Sequence, residues 1–517
     1  MQNNEAQTTD RQVAVEKVLL MHPGVRDAAV VHVGGDGIVT FVVPDDLYID
    51  DISGRETAGT TVMGKWRKLF DLTQFTKEAA SAPVGFNTIG WNSSYTRQPI
   101  PAENMHEWVS RTVEDILQLA PSAMYEIGCG TGMLLIHIAP YCKRYIAVDF
   151  SSVVLNTLRE QLRKVPSVAE KVKLMERRAD NFDGLEENSF DTVVLNSVVQ
   201  YFPNVAYLTK VLENAINIVR PGGHIFVGDV RSLPLLPTFA SSVEMFQAVN
   251  EARVDELRER IKRRVQRDPE FVLSPAFFLS LRRRFAKISR VEIRPKRGRG
   301  DTEMSRYRYA AIIHVGQETE AASEAAFQDW TERPMTLDEI RSMLQGRRES
   351  FGIQKIRNAR LENDLRLMER LRTADAALTV GELRREIEQC NTRGIHPQDL
   401  LDLEAENLGF RVLLSWAASR ADGSYDAFFI PTRPPQHQFD WAVNWPQPEL
   451  SDFVQLATSP GQGKFRSALI DLLVEHCRQN LPAELAPCDV ALVDMIPRAV
   501  DGTVDSEGLL AARSMCF

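Results

Sequence analysis

The sequence predicts an α/β fold of the Rossmann-like kind, with a parallel sheet and a cofactor at the carboxyl edge of its strands. Two observations predict it: a glycine-rich turn that joins a short apolar strand to an apolar helix, and a series of later apolar strands that end in polar residues. In open α/β sheets, ligands bind beyond the carboxyl ends of the strands. The site is therefore expected where those polar residues follow their strands.

The glycine turn carries Gly128, Gly130 and Gly132 at alternate positions, after the strand at 124–127. Glycines permit a tight turn and let the backbone approach a ligand. The spacing differs from the G-x-G-x-x-G pattern that seats a pyrophosphate on a helix N-terminus, and Glu126 would repel a phosphate. A carboxylate beside such a turn suits a cationic or amino-bearing ligand, and S-adenosylmethionine is one.

The strands that follow supply further polar residues. Asp149 ends an apolar strand about 20 residues beyond the first glycine, where a carboxylate can meet ribose hydroxyls. Asp180 follows a third strand and can meet an adenine amino group, Asn196 ends a fourth, and a turn at 221–223 leads into a fifth. This order predicts a class I methyltransferase that uses S-adenosylmethionine. The predicted cofactor ligands from this pattern are Glu126, Gly128, Gly130, Gly132, Asp149, Asp180 and Asn196.

Composition limits the other possibilities. A chain of 517 residues is expected to hold two to four domains, and its net charge of −9 argues against nucleic acid as the main partner. The basic runs at 282–287 and 296–299 are expected to form a solvated helix face and a hairpin loop. Six scattered cysteines without a C-x-x-C pair indicate neither a metal site nor a disulfide framework. With no apolar run of membrane-spanning length and no signal peptide, we expect a cytoplasmic protein without a membrane partner.

The two ends of the chain contain short elements that need a partner. Near the start, a helix at 13–21 precedes two strand-like runs at 28–33 and 38–43, with a glycine-rich hairpin between them. So few elements cannot bury a core alone. An amphipathic helix at 465–480 and a strand-like run at 489–493 can complete it. We therefore expect the two ends to pair.

Three segments at these ends resemble the C-terminal subdomain of adenylation domains from nonribosomal peptide synthetases: "VLLMHPGVRDAAVV" at 18–31, "LPAELAP" at 481–487 and "DGTVD" at 501–505. The resemblance has two departures. Thr503 stands where the family has the lysine that contacts the adenylate, and Glu484 stands where it has a tyrosine. A neutral hydroxyl cannot replace that charge, and we also expect the large adenylation core to be missing. We expect no adenylation activity, and a remnant scaffold that docks on a carrier protein or a synthetase.

The middle of the chain resembles the N-methyltransferase domains inserted within that subdomain, at "WNSSYT" (91–96), "NSVVQYFP" (196–203) and "GDVRSLPLL" (228–236). The resemblance implies a class I methyltransferase inserted into a split, small α+β subdomain. The expected boundaries are the first half of the subdomain at 11–70, the methyltransferase at 71–315, its auxiliary lobe at 316–440 and the second half at 441–517. In the lobe, helices are expected to start at Thr336 and Val380, and runs at 410–416 and 427–430 are expected to pair as strands.

The acceptor side is expected beyond the fourth and fifth strands. The candidates are Gln200, Tyr201, Asp229 and Arg231, with Asp229 favoured as proton acceptor or amine orienter and Tyr201 orienting the same group. Each has a structural alternative. Tyr201 is equally typical of a packed helix start, and Asp229 and Arg231 are also typical of an internal ion pair.

Two further segments complete the predicted site. The resemblance places Trp91, Ser93 and Tyr95 in a lid, with Tyr95 on the cofactor and Trp91 towards the acceptor, although loop aromatics more often serve packing. Glu303, in the segment "EMSRYRY" that leads into the last strand, is the candidate to line the acceptor pocket.

The resemblance implies N-methylation of an aminoacyl or peptidyl group on a carrier protein. An α-amine has an unperturbed pKa of about 8, so it needs orienting groups rather than a strong base. Two alternatives stay open. One is O-methylation of a carboxylate, phenol or hydroxyl of a free or tethered metabolite, which for an alcohol requires a general base. The other is a non-catalytic partner of a synthetase.

Overall fold

The computed structural model describes residues 12–32, 38–45, 83–316, 326–388, 394–406, 408–432, 443–448, 456–458, 462–482, 490–493, 496, 498 and 503–505. These residues divide into two compact units. The smaller unit is drawn from 1–64, 262–269 and 459–517, and the larger from 65–261 and 270–458.

The described strands, in chain order, are β1 (Val25–His32), β2 (Ile38–Pro44), β3 (Ala123–Ile127), β4 (Arg144–Asp149), β5 (Val172–Glu176), β6 (Phe190–Asn196), β7 (Val219–Arg231), β8 (Ile288–Pro295), β9 (Arg308–Val315), β10 (Phe327–Asp329), β11 (Phe351–Ile356), β12 (Phe410–Ser415), β13 (Tyr425–Pro431) and β14 (Val490–Leu492). The described α-helices are α1 (12–20), α2 (Ala102–Leu117), α3 (Leu135–Ile138), α4 (Ser152–Leu162), α5 (Pro166–Ala169), α6 (Val205–Ile218), α7 (Leu236–Gln247), α8 (Val254–Gln266), α9 (Pro275–Arg284), α10 (Glu303–Arg306), α11 (Leu337–Gly346), α12 (Glu362–Thr373), α13 (Val380–Glu388), α14 (Pro397–Asp402) and α15 (Gln462–Asn480).

The larger unit is built on a seven-stranded sheet in the order β5-β4-β3-β6-β7-β9-β8. All neighbours are parallel except β9, which runs antiparallel to both β7 and β8. From β3 the chain builds outwards first through β4 and β5, and then through β6 and β7 on the other side. The order therefore reverses between β3 and β6, and a ligand crevice is expected at their carboxyl ends. This is the predicted α/β class I methyltransferase fold.

The central strands are buried as their sequences predict. All seven residues of β6 are buried, which is typical of a parallel strand covered on both faces. The predicted fifth strand is wrong in its length, because β7 starts before the turn at 221–223 and continues to Arg231. Its pairing with β9 extends to Arg231, past a register shift between Val227 and Val230. That irregularity places Asp229 at a sharp local bend, with φ of 62°.

A second sheet of the larger unit has four strands in the order β10-β11-β13-β12. The predicted pairing of the runs at 410–416 and 427–430 is confirmed, because β12 and β13 are antiparallel partners. Helix α11 begins after Thr336, whose side chain forms a capping box with Glu339. Helix α12, which precedes β12 in the chain, packs against α7, which follows β7. The auxiliary segment thus contacts the sheet domain beside its last parallel strand.

In the smaller unit, both ends of the chain contribute to one three-stranded sheet, β1-β2-β14. β1 and β2 are antiparallel, and β14 adds to β2 in parallel, with Val490 opposite Thr40. One face of this sheet packs on α1 and α15, in a core that contains Leu19, Val42 and Leu473. The predicted hairpin turn, Glu484 and Asp501-Gly502 lie outside the described residues.

Among the described residues, no helix is both long and apolar enough to cross a membrane, and no group of three or more His, Cys, Asp or Glu side chains could hold a metal ion. The described part of the chain includes Cys129, Cys142 and Cys477 as buried free thiols.

Candidate active site

The glycine turn after β3 is built from left-handed backbone. Gly128, Gly130 and Gly132 have φ of 71°, 49° and 80°, which residues with a Cβ rarely adopt. A Cβ at Gly128 would lie 2.4 Å from Val198, and one at Gly132 would lie 2.5 Å from Leu158. A Cβ at Gly130 would meet no atom within 4 Å. The outer glycines are therefore required for packing, and the middle one leaves an open cradle for a ligand.

Two acids support this cradle. Asp149 ends β4 and accepts from the backbone N–H of Gly130 at 3.0 Å, and from that of Ser151 at 2.9 Å. Glu126 is buried within β3 and accepts from the Tyr145 hydroxyl at 2.9 Å. Burial, with a smaller contribution from nearby Asp149, raises the pKa of Glu126 to about 7. A cation bound close by would favour the ionised carboxylate.

Asn196 ends β6, next to the point where the strand order reverses. Its side chain is buried, and its Oδ1 accepts no hydrogen bond from any residue that the structure describes. Its Nδ2 lies 3.4 Å from the Ser197 hydroxyl. A buried acceptor without a donor costs free energy, and such groups are uncommon in native proteins unless a ligand or water satisfies them.

The cradle, the acids and the amide fit S-adenosylmethionine, which carries a sulfonium cation and an α-amino group. Gly130 offers backbone without side-chain obstruction. Asp149 and Glu126 supply acceptors and negative charge beside it, and Asn196 supplies an unused acceptor.

Asp180 follows β5, as expected, but its carboxylate already has partners. Its Oδ1 accepts from the Tyr207 hydroxyl at 3.0 Å and from Arg178 Nε at 3.2 Å. Lys210 Nζ lies 3.9 Å from its other oxygen. The acid therefore faces α6, and a contact with adenine stays a prediction.

Asp229 is fully buried and surrounded by donors. It accepts from the Ser197 hydroxyl at 2.7 Å, from Trp108 Nε1 at 3.1 Å and from Arg308 at 2.6 Å. Lys296 Nζ lies 3.9 Å away. Burial alone would raise the pKa of Asp229, but the charges of Arg308 and Lys296 outweigh it, so the pKa lies below its usual value. The geometry therefore contradicts the expectation of a proton acceptor and assigns Asp229 to an ion-pair cluster.

The other three acceptor-side candidates are also engaged in packing. Arg231 forms an ion pair with Glu270 at 2.9 Å, and its guanidinium lies 4.9 Å from the Phe239 ring centre. Gln200 is buried in the 3₁₀ turn that also contains Tyr201. Burial and the charge of Glu270 raise the pKa of Tyr201, so its hydroxyl stays protonated. Asp229 and Arg231 are therefore both in internal ion pairs, Asp229 with Arg308 and Arg231 with Glu270.

The predicted lid lies beside the glycine turn. The Thr131 hydroxyl donates to the backbone oxygen of Asn87 at 3.3 Å. Trp91 packs on Trp108, with ring centres 4.9 Å apart, in an apolar cluster that includes Met133. These contacts show Trp91 in apolar packing, as loop aromatics often are, and its contact with the acceptor stays a prediction.

Tyr95 lines a cavity of about 560 Å³ between the lid, α7 and α10. Its hydroxyl donates to Ser242 at 3.1 Å, and its ring contacts Phe239 and Phe246 edge-on. Glu303 lines the same cavity, as does Ser93. Glu303 and Tyr95 thus line one cavity, and the predicted contacts of Glu303 with the acceptor and of Tyr95 with the cofactor stay predictions.

Sequence reasoning missed Asp364, which lies behind this cavity on α12. Asp364 accepts from the Ser242 hydroxyl at 2.7 Å and from the Tyr307 hydroxyl at 2.6 Å, and Arg306 lies 3.4 Å away. Burial raises its pKa. In the sequence, Asp364 is one charge among many on a charged helix, so no local signal marks it.

Lys296 was expected in a solvated loop and is instead 7% exposed, 5.4 Å from the ring centre of Trp108. Its partner Asp229 is distant in sequence. Ser197 and Arg308, which both donate to Asp229, were not predicted as site residues either. In the sequence, Ser197 directly follows Asn196, and Arg308 lies in the segment at 303–309 that contains Glu303.

Comparisons with known proteins agree with this geometry. Residues 125–225 match a family model described as "Methyltransferase domain". The chain is 36% identical to chondramide synthase of Chondromyces crocatus over 96% of its own length, and 29% identical to the beauvericin nonribosomal cyclodepsipeptide synthetase of Beauveria bassiana over 96%. It spans 13% and 16% of the length of these two relatives.

Among solved structures, the N-methyltransferase NodS of Bradyrhizobium japonicum WM9 matches 41% of this chain and 97% of its own, at 16% identity and a TM-score of 0.27. A likeness that distant says nothing about the acceptor.

Proposed function

We propose that this chain, which carries an S-adenosylmethionine-dependent methyltransferase domain of class I, methylates an amino nitrogen of an aminoacyl or peptidyl group in nonribosomal peptide assembly. The peptide context is supported by the extent of the likeness, because the relatives named as peptide synthetases match 96% of this chain. A carrier protein is the proposed partner that presents the acceptor.

The observation that carries the preference for nitrogen is the state of Asp229. Its oxygens accept from Ser197, Trp108 and Arg308, and its pKa is lowered. A carboxylate so occupied is a weak base. Glu303 is occupied in the same way, because the backbone N–H and the hydroxyl of Ser94 both donate to it, at 2.9 and 2.7 Å. An alcohol would require a base, whereas a neutral amine already offers its lone pair.

Bound S-adenosylmethionine supplies an electrophilic methyl carbon whose C–S bond breaks as the C–N bond forms. The role of this chain is to hold the cofactor and to bring the amine close, which lowers the barrier by removing translational and rotational freedom. Gly130 would leave room for the cofactor, with Asp149 fixing the turn. Asp180 is proposed to reach the adenine. The proton of the methylated ammonium leaves to solvent.

The test uses labelled cofactor and three forms of a loaded carrier protein: aminoacyl, N-acetyl-aminoacyl and hydroxyacyl. Intact mass spectrometry should show one added methyl on the aminoacyl form alone. Methylation of the hydroxyacyl form would establish the O-methyltransferase alternative instead. Cofactor binding without transfer to any acceptor would favour the non-catalytic partner.

We also propose that the chain contains the two halves of an adenylation-type C-terminal subdomain, at 11–70 and 441–517, with an auxiliary lobe at 316–440; the smaller unit contains 11–64 and 459–517 of these halves, and the rest belongs to the larger unit. The shared sheet of β2 and β14 supports a pairing of these halves. Because Thr503 cannot supply the positive charge of a lysine, this subdomain is proposed not to support adenylation. Amino-acid-dependent exchange of pyrophosphate into ATP by the purified chain would contradict this.

A further inference from the structure

The cavity beside Tyr95 lies one apolar layer from the glycine turn. Ile100 lines the cavity and belongs to the same core cluster as Met133, which directly follows Gly132. Its volume of about 560 Å³ falls within the range of small-molecule sites. One apolar cluster therefore connects the wall of the cavity to the residue that follows the glycine turn.

The cavity walls are largely apolar. Aromatic and aliphatic groups come from the lid and from α7, among them Tyr95, Ile100, Met245 and Phe246. Phe246 is 57% exposed and reaches the cavity from the end of its helix. Such walls favour an apolar or aromatic group, because its burial removes apolar surface from water.

Each charged side chain on the wall already has a partner. Arg306 contacts Asp301 through two nitrogens, at 2.5 and 2.6 Å. Glu303 accepts twice from Ser94. Arg384 donates to the backbone oxygen of Ala248 at 2.7 Å, and also to that of Met245. The partners of Glu303 and Arg384 are neutral, so a charged ligand group would have to displace their hydrogen bonds to reach these side chains, and that costs free energy.

Two hydroxyl groups at the cavity are joined by hydrogen bonds. Tyr95 donates to Ser242, and Ser242 donates to Asp364 behind the wall. These two bonds use the hydrogens of both hydroxyl groups and hold the Tyr95 ring in place. This part of the wall therefore presents a fixed aromatic face.

We propose that this cavity binds the side chain of the amino acid whose nitrogen is methylated, and that it selects neutral apolar or aromatic side chains over charged ones. The inference rests on the proposed function for the identity of the acceptor, and it adds the chemical class of the side chain. Phe246 is a specificity residue in this assignment.

The test measures kcat/KM with aminoacyl thioesters of N-acetylcysteamine that carry phenylalanyl, leucyl, lysyl or glutamyl groups. The full chain should prefer phenylalanyl and leucyl over the charged pair by at least about tenfold, the scale expected for an uncompensated buried charge. Phe246→Glu places an unpaired anion at the wall, so it should raise the lysyl rate relative to phenylalanyl. Val249→Glu puts the same charge at a 64% exposed position outside the cavity lining and should leave the preference unchanged.

The outcomes separate the two proposals. Equal rates for neutral and charged thioesters, or the same shift in both variants, would overturn the cavity assignment while N-methylation stands. If no thioester reacts, calorimetry with phenylalaninamide and lysinamide in the presence of S-adenosylhomocysteine decides the matter. Tighter binding of phenylalaninamide that Phe246→Glu reverses supports the assignment, and equal binding or none overturns it. Calorimetry with S-adenosylhomocysteine alone should be unchanged in both variants.

Discussion

The cofactor cradle and the cavity beside Tyr95 are built in opposite ways. The cradle is one continuous turn, from Gly128 to Gly132, whose shape comes from its own backbone dihedral angles. The cavity is assembled from segments far apart in the chain, and the contact between Ser94 and Glu303 spans 209 positions. A site made by the backbone leaves a contiguous motif in the sequence, whereas a site made by side chains from several elements leaves almost none.

The largest effect is expected at Asp229, whose partner Trp108 packs in the apolar cluster that contains Met133 beside the turn and Ile100 of the cavity wall. Asp229→Asn removes the charge that compensates the buried Arg308 and Lys296. Leaving buried charges unpaired should lower the free energy of unfolding by about 3 kcal/mol. Because the folded pKa of Asp229 is lowered, its stabilisation is present at neutral pH and is lost on acidification below its unfolded value. Urea unfolding at pH 7 and at about pH 3, which lies below the pKa of about 3.9 of an unfolded aspartate, measures both.

The matched control is Asp255→Asn, which breaks an exposed ion pair with Arg253. That change should cost less than about 1 kcal/mol. Equal losses in the two variants would contradict the ion-pair cluster.

The cradle itself is tested by Gly130→Ala. The added methyl group meets no protein atom within 4 Å, so the free protein should lose only about 1 kcal/mol for the left-handed backbone. The same methyl group occupies the space assigned to the cofactor, and affinity should fall by at least about tenfold, or 1.4 kcal/mol. Gly222→Ala is the control, since its φ is 83° and its Cβ also meets open space. It should show the same strain with unchanged affinity for S-adenosylhomocysteine.

Glu126 predicts that both the stability of the free protein and the affinity for the cofactor depend on pH. Its folded pKa of about 7 lies above that of an unfolded glutamate, so its contribution to stability is present at low pH and falls as the pH rises from about 4 to 7. The cationic cofactor favours the ionised form, so affinity should increase as the pH rises towards 7, with proton release on binding. Calorimetry in two buffers of different ionisation enthalpy measures the proton. Glu126→Gln should abolish the release, and the exposed Glu170→Gln should retain it.

The smallest effect is expected behind the cavity, at Asp364. Asp364→Asn leaves one acceptor in place of two for Ser242 and Tyr307, which should loosen the Tyr95 ring. The KM for the acceptor should rise about threefold, on the scale of one weakened hydrogen bond, with little change in the KM for S-adenosylmethionine. A change in the cofactor KM alone would place Asp364 with the cradle. The exposed Asp375→Asn is the control.

Prediction from sequence succeeded where periodicity and backbone chemistry decide the structure. The strand at 190–196 was found with the predicted bounds, because a buried parallel strand reads as one apolar run. The fifth strand was predicted too short, since its final residues are polar and are held by pairing with β9, which sequence pattern does not reveal.

The side-chain sites were predicted less well. Lys296 was expected in solvent because a basic loop usually is solvated, and the buried Asp229 and the Thr112 hydroxyl, both distant in sequence, explain its position. Asp364 and Trp108 gave no local signal, because their partners come from other elements. Glu303 and Tyr95 line the same cavity, and their predicted contacts with the acceptor and the cofactor stay predictions.

The most direct test of the account is a crystal structure of the chain with S-adenosylhomocysteine bound. The account predicts the ligand over Gly130, with its ribose at Asp149 and its amino group within hydrogen-bonding distance of Asn196 or Glu126. A ligand bound away from the carboxyl ends of β3 and β6, or bound there with Asp149 and Asn196 turned away from it, would contradict the assignment of the cradle.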